Sequence, residues 1–150
     1  MNTLEIDTIL RDDKRTAKAF KGVYTSNELP IRTTTDSLYV CNTDPSDQPG
    51  THWIVVYIDK QRRADYFDSF GMAPTVKEIK HFLNENSIKW IYNVEPVQEI
   101  TSDACGHHCI FFAVHRCIGF DMKSIVDMYT KNKSFNDDIV KLFVYDKLLM

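Results

Sequence analysis

The chain has 150 residues, 43% hydrophobic and 12% aromatic, enough for one well-packed domain and too short for two. A formal net charge of −3 and a pI near 5.9 provide no basic face of the kind that sequence-independent nucleic-acid binding requires. The opening MNTLEIDTIL has no charged segment leading into an apolar one, and no apolar run approaches the ~18 residues of a membrane span, so a non-secreted, intracellular protein is expected.

Leu4, Ile6, Ile9 and Leu10 predict a short amphipathic helix with Thr3 as N-cap. The basic run that follows (Arg11, Lys14, Arg15, Lys18, Lys21) is interrupted by Asp12 and Asp13 and reads as solvated surface. Phe20–Tyr24 is an extended segment closed by the turn-like Ser26–Pro30, and Leu38–Cys41 a short strand. Thr43–Gly50 is dense in turn formers and predicts a loop. His52–Ile58 is β-branched or aromatic nearly throughout, the pattern of a central strand buried on both faces. Arg62-Arg63 makes a turn into a second strand, Ala64–Phe67, which should pair with the first as an antiparallel hairpin.

Thr75 caps a predicted helix carrying Val76, Ile79, Phe82 and Leu83, and Lys89–Val94 reads as a third core strand ended by Pro96. Thr101, Ser102 and Asp103 are N-cap candidates for a helix over Cys105–Ile118, apolar on most sides and therefore central. Two further helices are expected near Lys123–Thr130 and Asn136–Leu148, with Ile139, Leu142, Phe143 and Leu149 facing the core. The fold class is α+β: one domain over residues 1–150, a small, mostly antiparallel sheet packed on a central buried helix.

Of the four cysteines, Cys105, Cys109 and Cys117 share one helix, where they cannot easily join separate segments, and disulfide frameworks belong to secreted chains. Cys105 stands at a helix start, where unpaired N–H groups stabilise a thiolate, and Gly106 after it lets a substrate approach the backbone. Position alone leaves it equally open to reading as a small buried core residue. A nucleophilic thiol needs a base. His107 and His108 point along or away from the cysteine on its own helix, His115 lies farther down it, and His81 falls on an exposed face. His52, at the mouth of the strongest strand, is the best candidate. If the hairpin forms, Asp68 emerges beside His52 while Asp65 lies nearer the turn; alone, Asp68 would be a turn former. Gln98 could offer an amide to an oxyanion, and by itself would be a surface glutamine. Cys105, His108 and Cys109 share a helix face as a rival metal site, but a second Cys/His pair is missing, so no metal is expected.

Gly50-Thr51-His52-Trp53, Tyr66-Phe67-Asp68-Ser69-Phe70-Gly71, and Gln98 seven positions before the Cys105-Gly106 helix start resemble the adenovirus protease (adenain) family. A more distant likeness extends to the SUMO- and ubiquitin-like-specific proteases of the same clan. The resemblance implies a cysteine protease fold with His52 as general base, Asp68 as orienting acid, Cys105 as nucleophile and Gln98 as oxyanion donor. Trp53, Gly50 and Gly106 would shape the substrate groove, which favours small residues, often Gly.

The short chain looks like the proteases of Polinton/Maverick-type elements and related DNA viruses. That likeness implies cleavage of capsid or core precursors in a host nucleus or cytoplasm, or packaging in virions. The family's activating peptide binds through a cysteine, and Asn86–Trp90 here has none. Neither a covalent peptide cofactor nor a DNA cofactor is expected, the latter because of the acidic balance, while a peptide activator stays open as a partner. A deconjugating protease, an acyltransferase of the same His-acid-Cys order and a non-catalytic binding module are the competing readings.

Overall fold

Five strands, β1 (Phe20–Tyr24), β2 (Ser37–Asn42), β3 (Trp53–Ile58), β4 (Arg63–Phe67) and β5 (Lys89–Tyr92), lie side by side in chain order in one sheet. The helices are α1 (Thr3–Asp12), α2 (Lys77–Asn86), α3 (Cys105–Cys117), α4 (Met122–Asp127) and α5 (Lys133–Leu149). The computed structural model describes residues 1–47 and 52–149.

The unbroken apolar run of β3 follows from its position. All six of its residues are buried, and successive side chains go to opposite faces of the sheet. Trp53, Val55 and Tyr57 join Leu38, Val40 and Phe67 beneath α1 and α3, whereas Ile54, Val56 and Ile58 join Tyr39, Cys41 and Tyr66 against Ile79, Phe82 and Leu83 of α2. Helix α3 is the central buried helix expected from its sequence, fully covered from Cys109 to Val114. Phe112 stacks on Phe67 with ring centroids 4.5 Å apart.

The predicted hairpin forms: Val55 pairs with Phe67 and Ile58 with Ala64, both strands antiparallel. The pairing of β2 with β3 is antiparallel too, but the two outer pairings, β1 with β2 and β4 with β5, are parallel. At the far end of the hairpin Asp65 faces Tyr57, and Arg116 of α3 donates to Asp65 at 2.7 Å with its guanidinium 4.5 Å over the Tyr57 ring. The competing carboxylate is thus used to fasten the C-terminal end of α3 to the sheet.

Several local expectations shift. Asn2, not Thr3, caps α1, accepting from the Glu5 N–H at 2.9 Å. Helix α2 begins after Val76 with no side-chain cap, so Thr75 does not serve that role. In α5 the buried positions among the described side chains are Asn136, Asp137, Val140 and Val144; Phe143 packs partly buried against the core as expected, Ile139 and Leu142 are 42% and 59% exposed, and the Leu149 side chain lies outside those described. The apolar face of α5 is rotated about one position from the expected one, because the polar pair Asn136 and Asp137 is drawn inward to bond buried groups of α3 and the 97–99 segment.

Candidate active site

His52 immediately precedes β3. Its carbonyl accepts from the Thr43 N–H at 3.0 Å, which extends the β2–β3 ladder past the Asn42–Trp53 pair and fixes the backbone of the histidine. The imidazole stacks on Phe70, centroids 5.0 Å apart and planes 27° from parallel. Its Nε2 meets Asp68 Oδ1 at 2.9 Å. That leaves Nδ1, which is buried, as the nitrogen able to serve the Cys105 thiol.

Asp68 follows the last residue of β4, so the hairpin register carries it to the end of the sheet where His52 stands. It is 4% exposed. Besides the imidazole, its Oδ1 accepts from the Phe70 N–H at 2.8 Å, and the Asp68 carbonyl accepts from the Gly71 N–H at 2.7 Å. Gly71 has φ +71°, and a Cβ there would stand 2.5 Å from the Pro96 nitrogen, so only glycine closes this turn. The residues of Phe67-Asp68-Ser69-Phe70-Gly71 therefore contribute separately: Phe67 stacks in the core, Asp68 supplies the carboxylate, Ser69 links to Gln98, Phe70 covers the imidazole and Gly71 makes the turn.

Cys105 opens α3 and is 4% exposed. The N-cap is Ala104, which has no side chain to bond the first turn. Ser102, one of the expected caps, spends its hydroxyl one residue too early, accepting from the Ala104 N–H at 3.3 Å. The first-turn N–H groups are thus left to the thiol. Burial by itself would raise the Cys105 pKa, but the bond and charge of His52 and the N–H groups of Trp53 and Gly106 overcome it, and the thiol lies below its ordinary value. Burial likewise disfavours the imidazolium, yet Asp68 and Cys105 outweigh it and hold His52 at about 9. The two shifts act in the same sense, each favouring the proton on the imidazole and the negative charge on the sulfur.

The other thiols differ. Cys41 is pushed up to about 12, Cys117 to about 11 and Cys109 far above its usual value, in each case chiefly by burial.

Gln98 is 1% exposed, not a surface residue. Its amide donates to the carbonyl and hydroxyl of Ser102, both at 3.0 Å, and its Oε1 accepts from the Ser69 hydroxyl. Both donor hydrogens are thus engaged locally. Trp53 is 8% exposed, and its indole N–H is buried without a hydrogen-bond partner among the described residues. Gly106 does not open a groove as expected: a Cβ on it would meet Met1 Sδ at 3.2 Å and Ile6 Cδ1 at 3.3 Å, so its missing side chain admits α1, and what it offers the thiol is its N–H. Gly50 lies outside the described residues.

The remaining histidines are elsewhere occupied. His108 is fully buried, with Nε2 2.8 Å from Asp137 Oδ1 and Nδ1 3.1 Å from the Tyr129 hydroxyl, so it does not join Cys105 and Cys109. His115 Nδ1 donates to the Phe111 carbonyl at 2.7 Å, and His81 is exposed. Sequence reasoning misses Asn93: it is buried and bonds both backbone groups of Asp68, and only its place just past a strand end could flag it.

No protein-family model matches the sequence, and no curated protein matches it either. Solved structures do match. The ASFV pS273R protease aligns over 93% of the chain with a TM-score of 0.62 at 13% identity, and the SUMO protease Ulp1 over 93% with a TM-score of 0.50 at 15% identity. The chain has the fold of these cysteine proteases. It spans 65% of the length of the pS273R protease and 77% of that of Ulp1. The Ulp1 structure carries its catalytic cysteine oxidised to a sulfonic acid.

Proposed function

We propose that the chain is a cysteine endopeptidase that cleaves protein precursors, with Cys105 as nucleophile, His52 as general base and acid, and Asp68 as the carboxylate that orients the imidazole. The observation that carries this reading is the thiol at an uncapped helix start, lowered in pKa, beside an imidazole held by a carboxylate 2.9 Å away. The fold shared with the pS273R and Ulp1 proteases supports it.

The chemistry starts from a thiolate–imidazolium pair, the state that the raised imidazole and the lowered thiol favour. The Cys105 thiolate adds to the scissile carbonyl carbon, forming the C–S bond while the carbonyl electron pair moves to oxygen. The His52 imidazolium then protonates the departing amine as the C–N bond breaks, leaving a thioester and a neutral imidazole. That imidazole takes a proton from water as the water attacks the thioester; collapse releases the carboxyl product and restores thiolate and imidazolium. Asp68 accepts from Nε2–H and so keeps that nitrogen protonated, leaving Nδ1 to face the reacting atoms. The oxyanion is met by the Cys105 backbone N–H and by Gln98, whose amide gives up one of its two bonds to Ser102 to reach it. These steps need no metal or organic cofactor.

A thiol only 4% exposed, with Trp53 beside it at 8%, favours a substrate strand with small residues at the cleaved bond, Gly above all. The sequence resemblance to the adenovirus protease family and the short Polinton/Maverick-type proteases supports capsid or core precursors as substrates, processed inside the host cell. The Ulp1 likeness supports a second reading, removal of a ubiquitin-like modifier. Incubating the protein with the structural precursors encoded beside it, and separately with SUMO conjugates, decides between them. Precursor cleavage that disappears in Cys105→Ala is the expected result. Cleavage of conjugates alone establishes the second reading, and cleavage that survives Cys105→Ala refutes the mechanism.

A further inference from the structure

We infer that Asn93 is a positioning residue for the proposed acid: its buried carboxamide stands in for a strand's main chain and fixes Asp68 at the height of His52. The need arises from the sheet. Strands β4 and β5 run parallel, and their last pair is Tyr66 with Tyr92. One residue farther on, β5 cannot continue, because Val94 has φ +59°, a turn away from extended backbone that a β-branched residue adopts only under constraint. Asp68, also just past its strand, would then need an acceptor for its buried N–H and a cross-strand donor for its C=O, which otherwise bonds only the Gly71 N–H of its own turn. Asn93 supplies both. Its Oδ1 accepts from the Asp68 N–H at 3.0 Å and its Nδ2 donates to the Asp68 carbonyl at 2.7 Å, a closed pair like that between two strands. The same Nδ2 donates to the Glu95 carbonyl at 3.0 Å, which holds the carboxamide itself in place.

The pairing continues one residue on. The Ser69 carbonyl accepts from the Val97 N–H at 2.8 Å and the Gln98 N–H at 3.1 Å, and the Ser69 hydroxyl donates to Gln98 Oε1. Gly71 lies against the backbone of residues 94–96. The turn bearing the acid and the segment bearing Gln98 are therefore one unit, and Asn93 is its first tie. Among side chains of this reach only asparagine presents a donor and an acceptor spaced as in a peptide group: aspartate lacks the donor and leucine both.

This inference rests on the Cys105–His52–Asp68 reading, and its test avoids the need for a known substrate. Alkylation of the full chain by iodoacetamide, followed at Cys105 by mass spectrometry across pH, reports the thiolate directly. The wild type should show a first rise below the ordinary thiol value and a second near 9, where the imidazolium loses its proton. In Asn93→Ala, and in Asn93→Leu, which keeps the volume filled, the two steps should move towards each other, the upper one towards 6.5. Asn86→Ala removes another buried asparagine, one that ties Thr33 to α2 away from the site, and should leave both steps in place even where it lowers Tm. Unmoved steps in folded Asn93 variants, or an equal movement in Asn86→Ala, would overturn the inference. If the wild type shows the two steps but cleaves neither precursors nor conjugates, the protease reading fails while the role of Asn93 stands or falls by its own variants. A wild type with no step below the ordinary thiol value refutes both.

Discussion

Two histidine–aspartate pairs of nearly equal length stand among the described residues, His52–Asp68 at 2.9 Å and His108–Asp137 at 2.8 Å, and they titrate in opposite directions. Burial disfavours the imidazolium in both. At His52 the carboxylate is joined by a thiol, and the charges of Asp68 and Cys105 together outweigh burial and raise the pKa to about 9. At His108 the second nitrogen faces the Tyr129 hydroxyl, which carries no charge, and Lys141 adds repulsion, so burial prevails and the imidazole stays neutral. A hydrogen-bonded carboxylate therefore does not by itself raise an imidazole's pKa. What stands on the far side of the ring decides whether the imidazolium is favoured.

Exchanging the fates of the two pairs tests this directly. His52→Ala should cost about 10³-fold in kcat/KM on a cleaved precursor, with a smaller loss of Tm from the lost Phe70 stack and the buried Asp68 left behind. Asp68→Asn, which keeps the shape and removes the charge, should cost about 10²-fold and draw the alkaline limb of the pH–rate profile down from about 9, read from initial rates across the neutral and alkaline range. The mirror-image change, His108→Ala, should leave the positions of both pH limbs intact and instead lower stability by about 3 kcal/mol in denaturant titrations, because Asp137 is stranded in the core. An alkaline limb that moves in His108→Ala would break the comparison.

The smallest effect is in pH-dependent stability. His108 is held below its ordinary pKa, so the unfolded chain takes up the proton first on acidification. Its contribution is complete above about 6.5 and is lost as pH falls towards the depressed folded value. A stability–pH curve should lose part of its slope below 6.5 in His108→Phe, whereas a slope unaltered by that change would show that the buried pair does not titrate as described.

Much of this arrangement is legible in the sequence because it rests on local chemistry. The apolar run of β3, the helical periodicity of α3 and the turn residues of 43–47 are short-range signals, and the spacing of a hairpin places Asp68 beside His52 and Asp65 at its other end. Less is legible where a side chain's partner is distant. Gln98 has the character of a surface residue, yet Ser69, twenty-nine positions away, holds it in the interior. Hydrophobicity ranks Ile139 and Leu142 above Asn136 and Asp137 and so points to the wrong face of α5, since a polar residue goes inward only when a buried partner waits for it. The sequence around Gly106 suggests room for a substrate because nothing nearby in the chain reveals Met1 and Ile6 pressing on its Cα.

The sequence by itself determined the element types, the central helix and which thiol opens it, since periodicity, turn chemistry and cap composition act within a few residues. Only the tertiary structure decided which imidazole is charged and which is not. It did so by setting an anion-forming thiol against one ring and a neutral hydroxyl against the other, and electrostatics in a buried site depends on such neighbours rather than on order along the chain.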